Sequence, residues 1–143
     1  MTQIVLPDPG TPFGERVVTR LDTAQVIWLT TVGKDGTPQP NPVWFLKTDE
    51  GLLVYNRPDA NRLTHVVDRP RVALHLDGKG DGTDIIVLTG TARRLENQSP
   101  AHEVPAYVAK YGTAMARVSD SAEKFGAAYP VPLLIEIGKV RGF

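Results

Sequence analysis

Alternation of apolar and polar positions, broken by turn residues, organises most of this chain. Arg71-Val-Ala-Leu-His-Leu76 alternates as a half-exposed strand does. Val26-Ile-Trp-Leu-Thr-Thr-Val32 is a β-branched and aromatic run, and Asp35-Gly36 between it and Pro38–Leu46 predicts a hairpin. Leu52–Tyr55, Ile85–Arg93 (with Gly90 as a bulge) and Val131–Val140 complete six expected strands. Pro38, Pro40 and Pro42 cannot donate to a ladder, so the second strand is expected at an edge or bulged. Helical spacing appears in short pieces. Phe13, Val17 and Leu21 fall at i, i+4 and i+8. Pro58-Asp59 is expected to open a helix with Leu63, Val66 and Val67 on one face, ended by Asp68-Arg-Pro70. Ser99-Pro100 is expected to start another, with Val104, Tyr107, Val108 and Tyr111 sharing a face, and Ser121–Ala128 a further turn or two. Trp28, mid-strand in a run with no polar partner, is expected in the core.

Tight turns join neighbouring strands, so they should pair antiparallel. Six such strands in 143 residues most economically curl into a small barrel, which removes open edges. The length fits one domain over 1–143, with residues 1–12 as a proline-rich extended arm. Thirteen glycines and 12 prolines argue against a helical bundle.

Composition then narrows the chemistry. Sixteen basic residues balance 16 acidic ones, which weighs against a nucleic-acid or anionic-membrane binder, and no membrane span is expected. There is no cysteine, hence no disulfide, thiolate metal site or Cys nucleophile. His65, His75 and His102 lack metal-ligand spacing, so no metal site is expected. No nucleophile elbow, phosphate-binding loop or dinucleotide fingerprint is present, and Gly78-Lys-Gly80 with Gly82 reads as a hairpin loop. Any catalytic repertoire is therefore expected to belong to a bound cofactor, and no residue is singled out as catalytic. With no basic leader and no apolar run near the ~18 residues of a spanning helix, a cytoplasmic location is the expectation.

Two segments stand out. In Tyr55-Asn-Arg-Pro-Asp-Ala-Asn-Arg-Leu63, Arg57 and Arg62 flank an expected helix N-terminus, a construction suited to an anion. His65 and Arg69 extend the basic cluster. The same spacing also fits solvated charges, with Asp59 pairing locally. In Asn41-Pro-Val-Trp-Phe45, Trp44 could wall a flat apolar slot, or Trp44 or Phe45 could simply face the core. Gln39 and Asn41 would share a face with Val43 and Phe45.

In order, Leu29-Thr-Thr-Val-Gly-Lys-Asp-Gly-Thr-Pro38, Pro42-Val-Trp-Phe45, Asp68-Arg-Pro-Arg-Val-Ala-Leu74, Ile86-Val-Leu-Thr-Gly-Thr-Ala-Arg93, Pro105-Ala-Tyr-Val-Ala-Lys-Tyr-Gly112 and Val140-Arg-Gly-Phe143 resemble the split β-barrel flavin and deazaflavin reductases. These belong to the pyridoxamine-phosphate-oxidase-like superfamily, and the likeness runs from about Phe13 to Phe143. The Pro-Val-Trp-Phe segment and Asn61-Arg62-Leu63 are most similar to the actinobacterial B-type branch, whose members commonly bind coenzyme F420. The resemblance implies a mainly β, six-stranded antiparallel split barrel of the FMN-binding type. It implies a homodimer with cofactor clefts at the interface and hydride transfer to a small conjugated substrate. The ring would lie along the second and third strands, against Pro42, Val43 and Trp44, and the phosphate and polyglutamate tail near Arg57 and Arg62. Gln39, Asn41, Tyr55, Asn56 and Asn61 complete the expected cofactor-binding set, with His75 as a structural or cofactor-edge residue. Arg62 stands where many relatives carry Lys, while Thr64 replaces a second residue that is often basic. FMN on the same fold, or a non-enzymatic cofactor or haem carrier, are the alternatives.

Overall fold

The computed structural model describes residues 4–143. Of the expected arm at 1–12, residues 1–3 lie outside the described residues. Ile4 donates its backbone N–H to the Asp49 carbonyl at 2.9 Å, and Ile4 and Leu6 pack on the core. Helix α1 (Pro12–Thr23) follows, capped by the Thr11 hydroxyl, which accepts from the Gly14 N–H.

Seven strands form one antiparallel sheet: β1 (Ile27–Val32), β2 (Pro38–Val43), β3 (Leu46–Lys47), β4 (Leu52–Asn56), β5 (Arg71–His75), β6 (Ile86–Arg94) and β7 (Val131–Gly142). Their spatial order is β2-β1-β5-β6-β7-β4-β3. The two end strands, β2 and β3, are consecutive in the chain, separated only by Trp44 and Phe45. The sheet must therefore curl until its ends approach, which makes a split barrel.

The count is seven rather than the expected six because the run Pro38–Leu46 is two strands, not one. The break falls at Phe45, which is fully buried. Helix α3 (Pro105–Ser119) supplies the missing partners. The Phe45 N–H donates to the Tyr111 hydroxyl at 2.9 Å, and the Phe45 carbonyl accepts from Lys110 Nζ at 2.9 Å. The Tyr111 hydroxyl in turn donates to the Gln25 carbonyl at 2.7 Å. These side chains satisfy backbone groups that would otherwise be buried and unpaired.

The prolines of β2 explain its edge position. Pro38, Pro40 and Pro42 stand opposite Val32, Thr30 and Trp28. Having no N–H, they leave the ladder to Gln39, Asn41 and Val43, and their own turn at the free edge blunts addition of a further strand. The bulge expected at Gly90 is present as a register shift between Thr89 and Gly90. A Cβ at Gly90 would lie 2.1 Å from the Glu136 carbonyl oxygen, so only glycine fits there.

Inner-face residues such as Ile27, Leu29, Leu74, Leu88 and Ile135 make the main core with Val17 and Leu21 of α1. The outer face of β4 is covered by α3 and α4 (Ala122–Ala128), which form a second cluster with Leu53 and Tyr55. Among the described residues no helix packs on the outer face of β1, β5 and β6. There a shallow hollow of about 580 Å³ is lined by Thr30, Val32, Ala73, Thr89 and Gly138 among others. Trp28 lies on this outer face, contrary to the core expectation. Its indole N–H donates to Asp77 Oδ1 at 3.0 Å and its ring runs parallel to that of His75.

The helix expected from Pro58-Asp59 starts later: those residues form a turn, and α2 spans Asn61–Asp68. Val66 packs inward, but Val67 is 77% exposed and does not share the buried face. Ser99-Pro100 leads into a single 3₁₀ turn, Ala101–Glu103, and α3 begins only at Pro105. Among the described residues no helix is long and apolar enough to cross a membrane.

Candidate cofactor and ligand site

A cavity of about 240 Å³ lies where the β2–β3 break meets α3 and α4, lined by Pro42, Val43, Trp44, Tyr55, Arg62 and Tyr107 together with Val118, Phe125 and Tyr129. Its walls follow from strand alternation. Pro42 and Trp44 share one side of their segment while Val43 and Phe45 enter the main core. Tyr55 and Leu53 likewise face outward from β4, opposite Leu52, Val54 and Asn56.

The rings pack tightly. Tyr111 lies parallel to Trp44 at 4.7 Å, and Phe125 stacks on Trp44 at 5.2 Å. The stacking surface of Trp44 is thus engaged by α3 and α4, and Trp44 offers a ligand its edge rather than a flat slot. Tyr107 meets Tyr55 edge-on at 5.1 Å, and Phe125 stacks on Tyr129 at 4.5 Å.

One cation reaches this wall. Arg62 donates Nε–H to the Asn56 Oδ1. Asn56 is fully buried, and its amide group donates to the Val54 and Val131 carbonyls at 3.0 Å each, which turns the oxygen toward Arg62. Among the described residues no carboxylate lies within ion-pair distance of Arg62. Burial pulls its guanidinium below the usual value, opposed by Tyr129. A half-buried cation without a counter-charge is a docking point for an anion. Arg57 sits nearby, 5.7 Å over the Tyr129 ring, exposed and 3.6 Å from Asp59, so the local pairing with Asp59 does form. The first residue before α2, Ala60, has no side-chain cap to offer, which leaves helix N–H groups open beside Asn61 and Arg62.

Of the expected site residues, Pro42, Val43, Trp44, Tyr55 and Arg62 line one cavity. Asn56 orients Arg62, and Arg57 flanks Tyr129. The others lie elsewhere. Gln39 is near Gly33 and His65, Asn41 is exposed on β2, Asn61 is exposed at the start of α2, and His75 is exposed beside Trp28. The basic cluster also divides. The His65 Nδ1 contacts the Thr31 hydroxyl at 2.8 Å and Arg69 Nε donates to the Val32 carbonyl, so both serve β1 rather than the cavity. Sequence reasoning missed Tyr107, Phe125 and Tyr129 as site residues. The available signal was that Tyr55, Tyr107, Tyr111 and Tyr129 are all the tyrosines of the chain, and all four join this one cluster.

The buried phenols and amine give a pH signature. Burial pushes Tyr111 up to about 12 and pulls Lys110 down to about 8, the latter opposed by Asp22. Between about 8 and the ordinary lysine value the unfolded chain holds more protons, so stability should rise slightly with pH. Above the ordinary tyrosine value the unfolded phenol ionises first, so the Tyr111 contribution is lost as pH climbs toward 12. Urea midpoints across this range should show a shallow rise and then a fall, with tyrosinate absorbance of the buried rings appearing together with unfolding. Early ionisation of Tyr107 and Tyr111, independent of unfolding, would contradict this.

A model of the pyridoxamine 5'-phosphate oxidase family matches residues 13–131. No curated protein matches in sequence. Solved structures that resemble the chain include General Stress Protein 26 from Bacillus anthracis str. Sterne, at 21% identity and TM-score 0.66, covering 88% of this chain and 89% of that one. The haem storage protein HutZ from Vibrio cholerae matches at 12% identity and TM-score 0.63, covering 90% and 93%. An F420 reductase matches at 18% identity and TM-score 0.58, covering 86% and 94%. At these identities the likeness concerns the fold. With the family match over most of its length and a sheet whose two end strands meet at Trp44-Phe45, this chain belongs to the pyridoxamine 5'-phosphate oxidase family.

Proposed function

We propose that the chain is a cytoplasmic, homodimeric oxidoreductase that uses F420 to pass a hydride to or from a small conjugated substrate. The observation that carries the reading is Arg62, a half-buried guanidinium on a cavity wall with its Nε fixed by Asn56 and no carboxylate partner among the described residues. The residues fit an anionic cofactor: Arg62 and Arg57 supply charge, and the uncapped start of α2 supplies N–H donors. Pro42 links this wall to the bare sheet face, because it lines the cavity and also stands opposite Trp28, which stands opposite His75. When bound, the deazaflavin supplies the hydride. The chain's own part is to hold the phosphate, set the ring against Pro42, exclude water and position the substrate.

The homodimer is supported by the shallow hollow over β1, β5 and β6, lined by Thr30, Val32, Arg71 and Ala73 among others, a broad surface that no helix covers among the described residues. Sedimentation should give a dimer, and Ala73→Arg, placed in that hollow, should shift it to monomer while leaving the monomer folded. A wild-type monomer, or a variant that stays dimeric, would count against this face as the interface.

FMN makes the same demand for a phosphate site and remains the second reading, with the tail as the difference. The absorption spectrum of the purified protein separates the cases: a flavin band points to FMN, a Soret band to a haem carrier. A colourless protein that binds added F420 supports the leading reading.

A further inference from the structure

Tyr107 is 1% exposed and lines the aromatic cavity; no described residue bonds its hydroxyl, and the oxygen is not sealed off but keeps accessible surface. Its neighbours differ. The Tyr55 hydroxyl donates to the Ser99 carbonyl at 2.6 Å, and the Tyr111 hydroxyl is engaged by Phe45 and Gln25. The ring is buried while the oxygen stays reachable from the cavity, so the hydroxyl is a free donor that a ligand's acceptor can take in place of water. Burial, reinforced by the phenols of Tyr111, Tyr55 and Tyr129, raises its ionisation well above the ordinary value, so it stays a donor. The cavity, about 240 Å³, lies below the usual size range of cofactor-sized pockets and is walled by rings already stacked on one another. It suits one ring, not a tricyclic cofactor.

We propose that this cavity is the substrate compartment of the site, taking a small planar ring that carries a neutral oxygen acceptor (a ketone, quinone or nitro oxygen) bonded by the Tyr107 hydroxyl. The substrate role rests on the oxidoreductase reading above, but the ligand chemistry stands on the cavity itself. It is tested without any cofactor, by NMR titration of acetophenone and of its oxygen-free isostere α-methylstyrene into the isolated protein. Wild type should bind acetophenone more tightly by roughly three- to tenfold, the worth of one neutral hydrogen bond. Tyr107→Phe should erase that preference, leave α-methylstyrene unchanged and keep the fold, since the hydroxyl it removes supports nothing. Tyr129→Phe, which removes the other open phenol of the wall, should keep the preference. Equal affinity for the two compounds in wild type, binding of neither, a preference that survives Tyr107→Phe, or one lost only in Tyr129→Phe would each overturn the proposal. Failure of F420 to bind in a separate titration would instead strike the cofactor reading and leave this result standing.

Discussion

Tyr111→Phe should destabilise the protein by about 2–4 kcal/mol, read as a lower urea midpoint with an unchanged slope. One hydroxyl serves two strangers in the chain. It accepts from the Phe45 N–H and donates to the Gln25 carbonyl, at the point where the sheet is split between β2 and β3. Phe45 is fully buried, so without the hydroxyl its N–H loses its partner and water cannot replace it. Lys110 still holds the Phe45 carbonyl at 2.9 Å and lies 3.9 Å from the Phe45 ring centroid, so the seam is weakened rather than opened. The ring of Tyr111 keeps its stacking on Trp44 in the variant, which isolates the effect to the hydrogen bonds. A loss under about 0.5 kcal/mol would mean that the hydroxyl does not latch the seam. Tyr107→Phe is the internal contrast, because its hydroxyl has no partner to lose.

That seam also marks where sequence reading stopped. The strands around β1, β5 and β6 were legible because their alternation is local: Val72, Leu74, Ile86 and Leu88 are buried while Arg71, His75 and Thr89 are exposed. The barrel closure was legible from turns and prolines. The split at Phe45 was not, since the groups that permit it sit on α3, 65 and 66 residues away in the chain. Trp28 misled because an apolar residue stands on each face of β1. Ile27 and Leu29 point inward, and Trp28 and Val32 point outward, where Asp77 takes the indole proton. At the site, Arg62 was legible as a cation near a helix start. Its isolation from carboxylates was not, and neither was the diversion of His65 and Arg69 to β1, because both depend on how α2 turns over the sheet. The tyrosines were visible one by one, but their convergence is a property of α3 and α4 folding back over β4.

Arg62→Ala should cost F420 affinity roughly 1.5–3 kcal/mol, the worth of a charge-assisted bond to a phosphate oxygen. Geometry favours the larger part of that range. Asn56 fixes the guanidinium at Nε and leaves the Nη groups for a ligand, and Asn56 is itself fixed by two carbonyls. Among the described residues no carboxylate pairs with Arg62, so its charge stays open to a ligand. Its partial burial means that solvent screens it less than the more exposed Arg57. Removing Arg62 also leaves the buried Asn56 oxygen without its donor, so a stability loss of about 1 kcal/mol should accompany the change. Arg57→Ala, by contrast, should cost less affinity, because Asp59 already shares its charge.

The most direct measurement is a side-by-side titration of F420 into wild type and Arg62→Ala, followed by quenching of tryptophan fluorescence at low salt. Wild type should bind with a dissociation constant well below about 1 mM, a level worth only ~4 kcal/mol, and the variant should bind roughly 10- to 100-fold more weakly. Equal affinity in the two proteins, or a wild type that leaves F420 unbound at millimolar concentration, would contradict Arg62 as the phosphate anchor.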